Sequence, residues 1–361
     1  MTDFVTTEVV GGIGYLTLNR PQALNALSLD MIRAITHALT AWAEAPGVVA
    51  VVVAGAGGKA FCAGGDIRFF HQAALAKDPL LDQFFAEEYA LNHQIHRYGK
   101  PYIALMDGVV MGGGMGISQG ARRRIVTERT RMAMPETNIG LFPDVGGGWF
   151  LARTPGHLGE YLGLTGTVLG AADALYAGLA DLYLPSNAMA EALAALRGRS
   201  FASGEEVLAL LDAAAAAHRA GVAPEQGMLA RERPAIDGFF AQPDVESILA
   251  AVSDAAGDWA AQTAAALRSR SPLMLKVTLE QVRRARDMSL ENELRMELDM
   301  MHYVFRGGDG IEGIRALAVD KDHRPRWQPA RLDEVARERV LSFFDSPWRG
   351  AQHPLAGLSA G

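Results

Sequence analysis

Apolar and polar positions recur with two distinct periods along the chain. Phe4 to Val10 and Ile13 to Leu18 are β-rich runs split by Gly11-Gly12, which predicts a tight hairpin. Asn19-Arg20-Pro21 breaks that pattern. A helix is then predicted from Ser28, a side chain suited to the N-cap, because Met31, Ile32, Ile35, Leu39 and Trp42 recur at helical spacing up to Pro46-Gly47. Val48 to Ala54 is a continuous apolar, β-branched run, which suits a strand buried on both faces. A Gly-rich loop and a helix from about Asp66 follow. The order then repeats: strand Tyr102 to Met106, glycines Gly112-Gly113-Gly114, an apolar helix, strand Ile125-Val126. Strand, Gly loop, helix, strand is the rhythm of an α/β fold.

From about Gly170 the chain becomes helical and Ala-rich. Leu211 to Ala217 is nearly all alanine and is expected to be a plain surface helix. Two further helical patterns occupy Ser271 to Phe305. The expected division is 1–190 for an α/β core, 191–345 for a helical region and 346–361 for a tail.

Composition narrows the function. The chain has 361 residues, 49% hydrophobic and 21% charged, which is globular rather than disordered or collagen-like. A net charge of −7 opposes a nucleic-acid or anionic-membrane binder. The single cysteine, Cys62, excludes an intramolecular disulfide and any Cys-rich metal site. No apolar run approaches the roughly 18 residues of a membrane span. The start, Met1-Thr2-Asp3-Phe4, has no presequence character, so a cytoplasmic location is expected. Glycine is the outlier, at 39 residues.

Several signals carry no chemistry. Gly116-Ile117-Ser118-Gln119-Gly120 fits a serine-hydrolase elbow, but glycines rather than a strand precede it, so Ser118 should lie inside a helix. Gly58-Lys59-Ala60 lacks the rest of a P-loop. His93 and His96 sit three apart without a metalloprotease spacing, so no metal is expected. Cys62 reads as a small buried residue.

Three segments remain. Phe61-Cys62-Ala63-Gly64-Gly65-Asp66-Ile67-Arg68 follows a buried strand and opens a helix, with Asp66 placed to cap it. Met111-Gly112-Gly113-Gly114 repeats that junction. Two such loops on neighbouring parallel strands could aim two backbone N–H groups at one oxygen, forming an oxyanion hole. The third segment, Ala133 to Gly148, holds two isolated carboxylates, Glu136 and Asp144, among apolar residues and glycines. Such surroundings perturb carboxylate pKa values; Asp144, followed by Val145 and three glycines, could also be a helix N-cap.

Together these segments resemble the crotonase superfamily, the enoyl-CoA hydratase/isomerase fold, and within it the 3-hydroxyisobutyryl-CoA hydrolase family. The strings that carry the resemblance are FCAGGDIR (61–68), EEY (87–89), MGGG (111–114), AMPET (133–137), IGLFPDVGGG (139–148), LGEYLGLTG (158–166), SPLMLKVTLEQ (271–281) and IRALAVDKD (314–322). Asn19-Arg20-Pro21 and Ala23 to Leu27 resemble the N-terminal signature. The resemblance spans about residues 8–330 and implies a spiral of ββα units with a C-terminal helical region. CoA would lie across the Gly loops.

The resemblance also implies roles. The N–H groups of Gly65 and Gly113 form the oxyanion hole, and Glu136 acts on the thioester. Asp144 and Glu88 contact substrate, as do Gly64, Asp66, Ile67, Arg68 and Gly112, while Glu87 is left exposed. Arg68, Arg122, Arg123 and Arg124 are candidates for the CoA phosphates, the triple Arg reading more readily as a solvated basic face. The partner is an acyl-CoA, with no cofactor beyond the CoA of the substrate; a homo-oligomer is compatible. One departure matters. Hydratases of this superfamily carry a second glutamate just after the Gly triplet, where this chain has Gly116. Hydration needs two acids to place and protonate a water. The expected reaction is therefore hydrolysis of a short branched 3-hydroxyacyl-CoA, such as 3-hydroxyisobutyryl-CoA in valine breakdown. An enoyl-CoA hydratase/isomerase and a non-catalytic acyl-CoA-binding scaffold are the alternatives.

Overall fold

The structure, a computed structural model, describes residues 3–359, so Met1 and Thr2 of the expected presequence-free start, and Ala360 and Gly361 of the tail, lie outside the described residues. The chain forms two compact units. One comprises Met1–Gly65, Ala90–Ala133 and Val168–Arg231; the other Asp66–Tyr89, Met134–Thr167 and Glu232–Gly361. These boundaries interleave along the sequence and differ from the division at residue 190 expected from composition.

The first unit holds nine strands among the described residues. They are β1 (Val5–Val10), β2 (Ile13–Leu18), β3 (Ala50–Gly55), β4 (Ala60–Cys62), β5 (Tyr102–Met106), β6 (Val109–Met111), β7 (Arg123–Val126), β8 (Arg131–Ala133) and β9 (Leu182–Tyr183). One sheet runs β1-β2-β3-β5-β7-β9 and a smaller one β4-β6-β8. Only β1 and β2 pair antiparallel; the other pairs are parallel. Each of β3, β5 and β7 is followed by its neighbour in the small sheet, and the first two of these pairs lead on into a helix. That is the expected spiral of ββα units.

Local chemistry explains the elements. Gly11 and Gly12 take φ of 61° and 84°, the left-handed pair that a tight hairpin demands. Ser28 caps helix Leu29–Glu44 by accepting from Met31 N, and the buried stripe of that helix includes each of the five residues named from spacing. The helix needs Gly14 on β2: a Cβ there would lie 2.7 Å from the Trp42 ring. The opposite face of the sheet, with Ile13, Tyr15, Val52, Ile103, Leu105 and Ile125, packs on Leu184 to Leu196 and on Val207, Leu208, Leu211 and Ala215. The Ala-rich helix Gly204–His218 packs one face, Val207, Leu208, Leu211 and Ala215, against this layer and leaves Ala213, Ala216 and Ala217 exposed, as a surface helix does.

The second unit is helical. Helix Pro272–Ala285 is buried around most of its circumference, which marks it as a core element. Its cap, Ser271, accepts from Met274 N and donates to Asp309 Oδ2 at 2.5 Å. Helix Leu290–Gly307, capped by Ser289, buries Leu290, Leu294, Leu298 and Met301 together with Glu293 and Glu297. Among the described residues, no helix is long and apolar enough to cross a membrane.

Candidate active site

In the first unit, β4 and β6 are adjacent and parallel, and each delivers a glycine loop. Gly64 takes φ +107°, and a Cβ there would sit 3.3 Å from Met111 O and 3.7 Å from Gly113 N. The two loops therefore meet backbone to backbone. Gly112 takes φ 48°, ψ −120°, closed to L side chains, and turns the chain into helix Gly113–Gln119. Gly114 lies against β4, since a Cβ on it would be 2.3 Å from Cys62 O. As the first helical residue, Gly113 has no intrahelical acceptor for its N–H. Among the described residues, neither the Gly65 nor the Gly113 N–H has a backbone acceptor. Two N–H groups without a backbone acceptor on adjoining loops are candidate donors to a carbonyl oxygen that gains negative charge.

The N-terminal signature braces the first loop. Leu27 N donates to Gly64 O at 2.8 Å and Ala63 N to Leu24 O at 3.0 Å. Leu24 and Asn25 are both left-handed, with φ of 51° and 56°. The buried Asn25 fixes them: its amide donates to Ala56 O and Ala60 O at 3.0 and 2.9 Å and accepts from Arg20 N at 2.9 Å.

The acids stand in the second unit. Glu88, Glu136 and Asp144 are 2%, 6% and 6% exposed. Glu136 opens a short 3₁₀ turn, Glu136–Ile139, fixed by its neighbours: Thr137 Oγ1 donates to Leu164 O at 3.1 Å, and Arg270 donates to Asn138 Oδ1 at 2.8 Å. Tyr89 donates its hydroxyl to Asp144 Oδ2 at 2.8 Å. Among the described residues, Glu136 Oε2 and Glu88 Oε1 have no hydrogen-bond partner. Burial, then the charge of Asp144, holds Glu136 well above the ordinary carboxyl range. Burial and Asp144 do the same to Glu88. Burial raises Asp144 to about 6 against the pull of the Tyr89 hydrogen bond. A buried acid with an unsatisfied oxygen is suited to act on a bound ligand as base or nucleophile.

The structure thus joins Gly64, Gly65, Gly112 and Gly113 in one loop pair, and Glu88, Glu136 and Asp144 in one acid cluster. Asp66 caps helix Ile67–Ala76 by accepting from Phe69 N at 3.3 Å; Ile67 and Arg68 begin that helix, with Arg68 exposed. Glu87 is half-buried rather than exposed. Arg123 is paired with Asp212 at 2.7 Å and Arg124 with Asp181 at 2.7 Å, so neither is a free, solvated charge. Arg122 is exposed. Ser118 lies within its helix, its hydroxyl donating to Gly114 O at 2.8 Å, so the serine-elbow geometry is absent. Cys62 is buried. Sequence reasoning missed the part played by Tyr89, although it lies in the EEY string. It also missed Glu293 and Glu297, whose only signal was two acids four apart on the apolar face of a helix.

A family model described as enoyl-CoA hydratase/isomerase matches residues 13–344. The chain belongs to this family. Among its relatives, "3-hydroxyisobutyryl-CoA hydrolase, mitochondrial" of Xenopus tropicalis is 42% identical over 93% of this chain and 87% of the relative. The protein of the same name from Homo sapiens is 40% identical over 95% and 88%. Two solved structures of the family share the fold closely. A carnitinyl-CoA dehydratase from Mycobacterium thermoresistibile matches with a TM-score of 0.89 at 38% identity, covering 99% of this chain and 100% of that one. An enoyl-CoA hydratase from Rhodobacter sphaeroides matches with 0.85 at 36% identity, covering 96% and 98%.

Proposed function

We propose that this protein hydrolyses a short branched 3-hydroxyacyl-CoA thioester, 3-hydroxyisobutyryl-CoA, to the hydroxy acid and free CoA, the step that serves valine breakdown. The observation that carries this reading is Glu136, a buried carboxylate with an oxygen that no other described residue satisfies. The N–H groups of Gly65 and Gly113 take the acyl oxygen, and each such donor contributes on the order of 3–4 kcal/mol as charge develops. Ionised Glu136 either attacks the carbonyl, expelling the CoA thiolate and leaving an anhydride that water opens, or takes a proton from the attacking water. Both routes start from the ionised acid. Asp144 accepts the substrate 3-hydroxyl and orients the acyl chain; Glu88 flanks it. Gly64, Gly112, Asp66, Ile67 and Arg68 shape the CoA-facing loops.

The reaction needs no cofactor beyond the CoA of the substrate. The proposed location is cytoplasmic, to be checked by cell fractionation; a sole, buried cysteine suits a reducing compartment.

Hydration of an enoyl-CoA is the second reading, favoured by the likeness to a carnitinyl-CoA dehydratase and an enoyl-CoA hydratase of known structure. Gly116, with no side chain to serve as a second acid, speaks against it. A thiol-release assay over a panel of acyl-CoAs tests the choice. Fastest CoA release from 3-hydroxyisobutyryl-CoA is expected. Loss of enoyl absorbance from crotonyl-CoA without CoA release would overturn it.

A further inference from the structure

The turn that carries Asp144 is strained. Val145, directly after it, takes φ +60°, a left-handed conformation that β-branched residues rarely adopt, and Gly146 continues at φ +84°. Such geometry persists only where the surroundings over-determine it. Here the surroundings are two side chains of the helical core. Glu297 accepts from Gly146 N through Oε2 at 2.7 Å and from Gly148 N through Oε1 at 3.2 Å. Gln281 donates to Pro143 O at 2.7 Å and to Glu297 Oε1 at 3.1 Å. The turn is therefore gripped on both sides of Asp144. Gly148 lies against the same helical core, since a Cβ on it would meet the Glu293 and Gln281 side-chain tips at 2.4 and 3.0 Å.

We propose that Glu297 is a positioning residue for Asp144: by holding the N–H groups of Gly146 and Gly148 it locks the left-handed turn at Val145 and so aims the Asp144 carboxylate toward Tyr89 and the substrate. This rests on the reading of Asp144 as the acid that meets the substrate hydroxyl. Glu297 touches no substrate; it acts through the turn. A role confined to packing helix Leu290–Gly307 would leave the conformation at Val145 and the catalytic part of Asp144 untouched.

Glu297→Gln separates the two, because its NH₂ must face one of the two N–H donors. With 3-hydroxyisobutyryl-CoA, kcat should fall about 10- to 100-fold with KM little changed, as misplacement of a reacting group does. In an Asp144→Asn background the same change should cost less than about threefold, since neighbours in one chain of action are not additive. A crystal structure of Glu297→Gln should show Val145 out of the left-handed region and the Tyr89–Asp144 bond broken. Equal losses in both backgrounds, or an unchanged turn, would overturn the proposal. If Asp144→Asn itself leaves turnover unchanged, the substrate role of Asp144 fails, and the turn in that crystal structure still decides for or against the clamp. If Glu297→Gln does not fold, Val145→Gly/Glu297→Gln serves instead. Glycine takes the left-handed conformation unaided, so recovery of folding and turnover supports the clamp, and no recovery counts against it.

Discussion

Asp144→Asn should stabilise the protein at neutral and alkaline pH, even as it damages the site. Asp144 is buried, and its pKa rises from 3.8 to about 6 on folding, with burial the main cause. A carboxyl with a raised pKa holds its proton more tightly folded than unfolded. Its contribution is complete below the unfolded value of 3.8, is lost as pH climbs toward about 6, and changes no further above that. The loss is about 3 kcal/mol, taking about 1.4 kcal/mol per tenfold change in proton affinity. Asparagine is isosteric and never ionises, and its Oδ1 still accepts from the Tyr89 hydroxyl. Removing the Asp144 charge also eases ionisation of Glu136 and Glu88, since that charge raises both. The variant should therefore gain on the order of 2–3 kcal/mol over wild type at pH 8 and little at about pH 4. Urea unfolding at a series of pH values measures this, with the gain appearing in the midpoint at constant slope. A stability difference that is flat with pH, or a variant less stable at pH 8, would refute the reasoning.

The same charge sets the pH dependence of turnover. Glu136 must ionise to act, so kcat/KM should rise with pH above the ordinary carboxyl range, and Asp144→Asn should move that ascending limb to lower pH; an unmoved limb would detach the two acids. Asp144→Asn should also lower kcat/KM for 3-hydroxyisobutyryl-CoA more than for isobutyryl-CoA, because a polar group built to pair a hydroxyl discriminates against its absence. Equal losses on both substrates would remove the hydroxyl contact. Gly114→Ala should lower turnover about 10²-fold or more by pushing helix Gly113–Gln119 off β4, where the new Cβ would meet Cys62 O at 2.3 Å; activity within tenfold of wild type would show that the loop tolerates the shift.

What sequence made legible was whatever depends on neighbours in the chain. The hairpin at Gly11-Gly12, the buried stripe of helix Leu29–Glu44 and the cap by Ser28 follow from local spacing. The pairing of the two glycine loops followed from their repeated strand–loop–helix setting. What it hid depends on distant partners. Arg123 and Arg124 look like a free basic run until Asp212 and Asp181, 89 and 57 residues away, meet them. Which face of the Ala-rich helix packs inward was hidden, because the sheet strands that share a core with Val207, Leu208, Leu211 and Ala215 are distant in sequence. Glu293 and Glu297 read as polar members of an amphipathic helix. Their burial shows only once the Pro143–Gly148 turn, whose N–H groups Glu297 receives, is placed against them. The division into units was hidden too, because it alternates along the chain.

The central claim, a thioester hydrolase driven by Glu136, is tested most directly by following free CoA from 3-hydroxyisobutyryl-CoA with wild type and Glu136→Gln, alongside enoyl absorbance with crotonyl-CoA. The amide keeps the shape of the acid but can be neither anionic nucleophile nor base. The account predicts rapid CoA release by wild type, loss of at least about 10³-fold in the variant with the fold intact, and negligible hydration of crotonyl-CoA by either. CoA release by Glu136→Gln within tenfold of wild type, or efficient hydration of crotonyl-CoA by wild type, would contradict it.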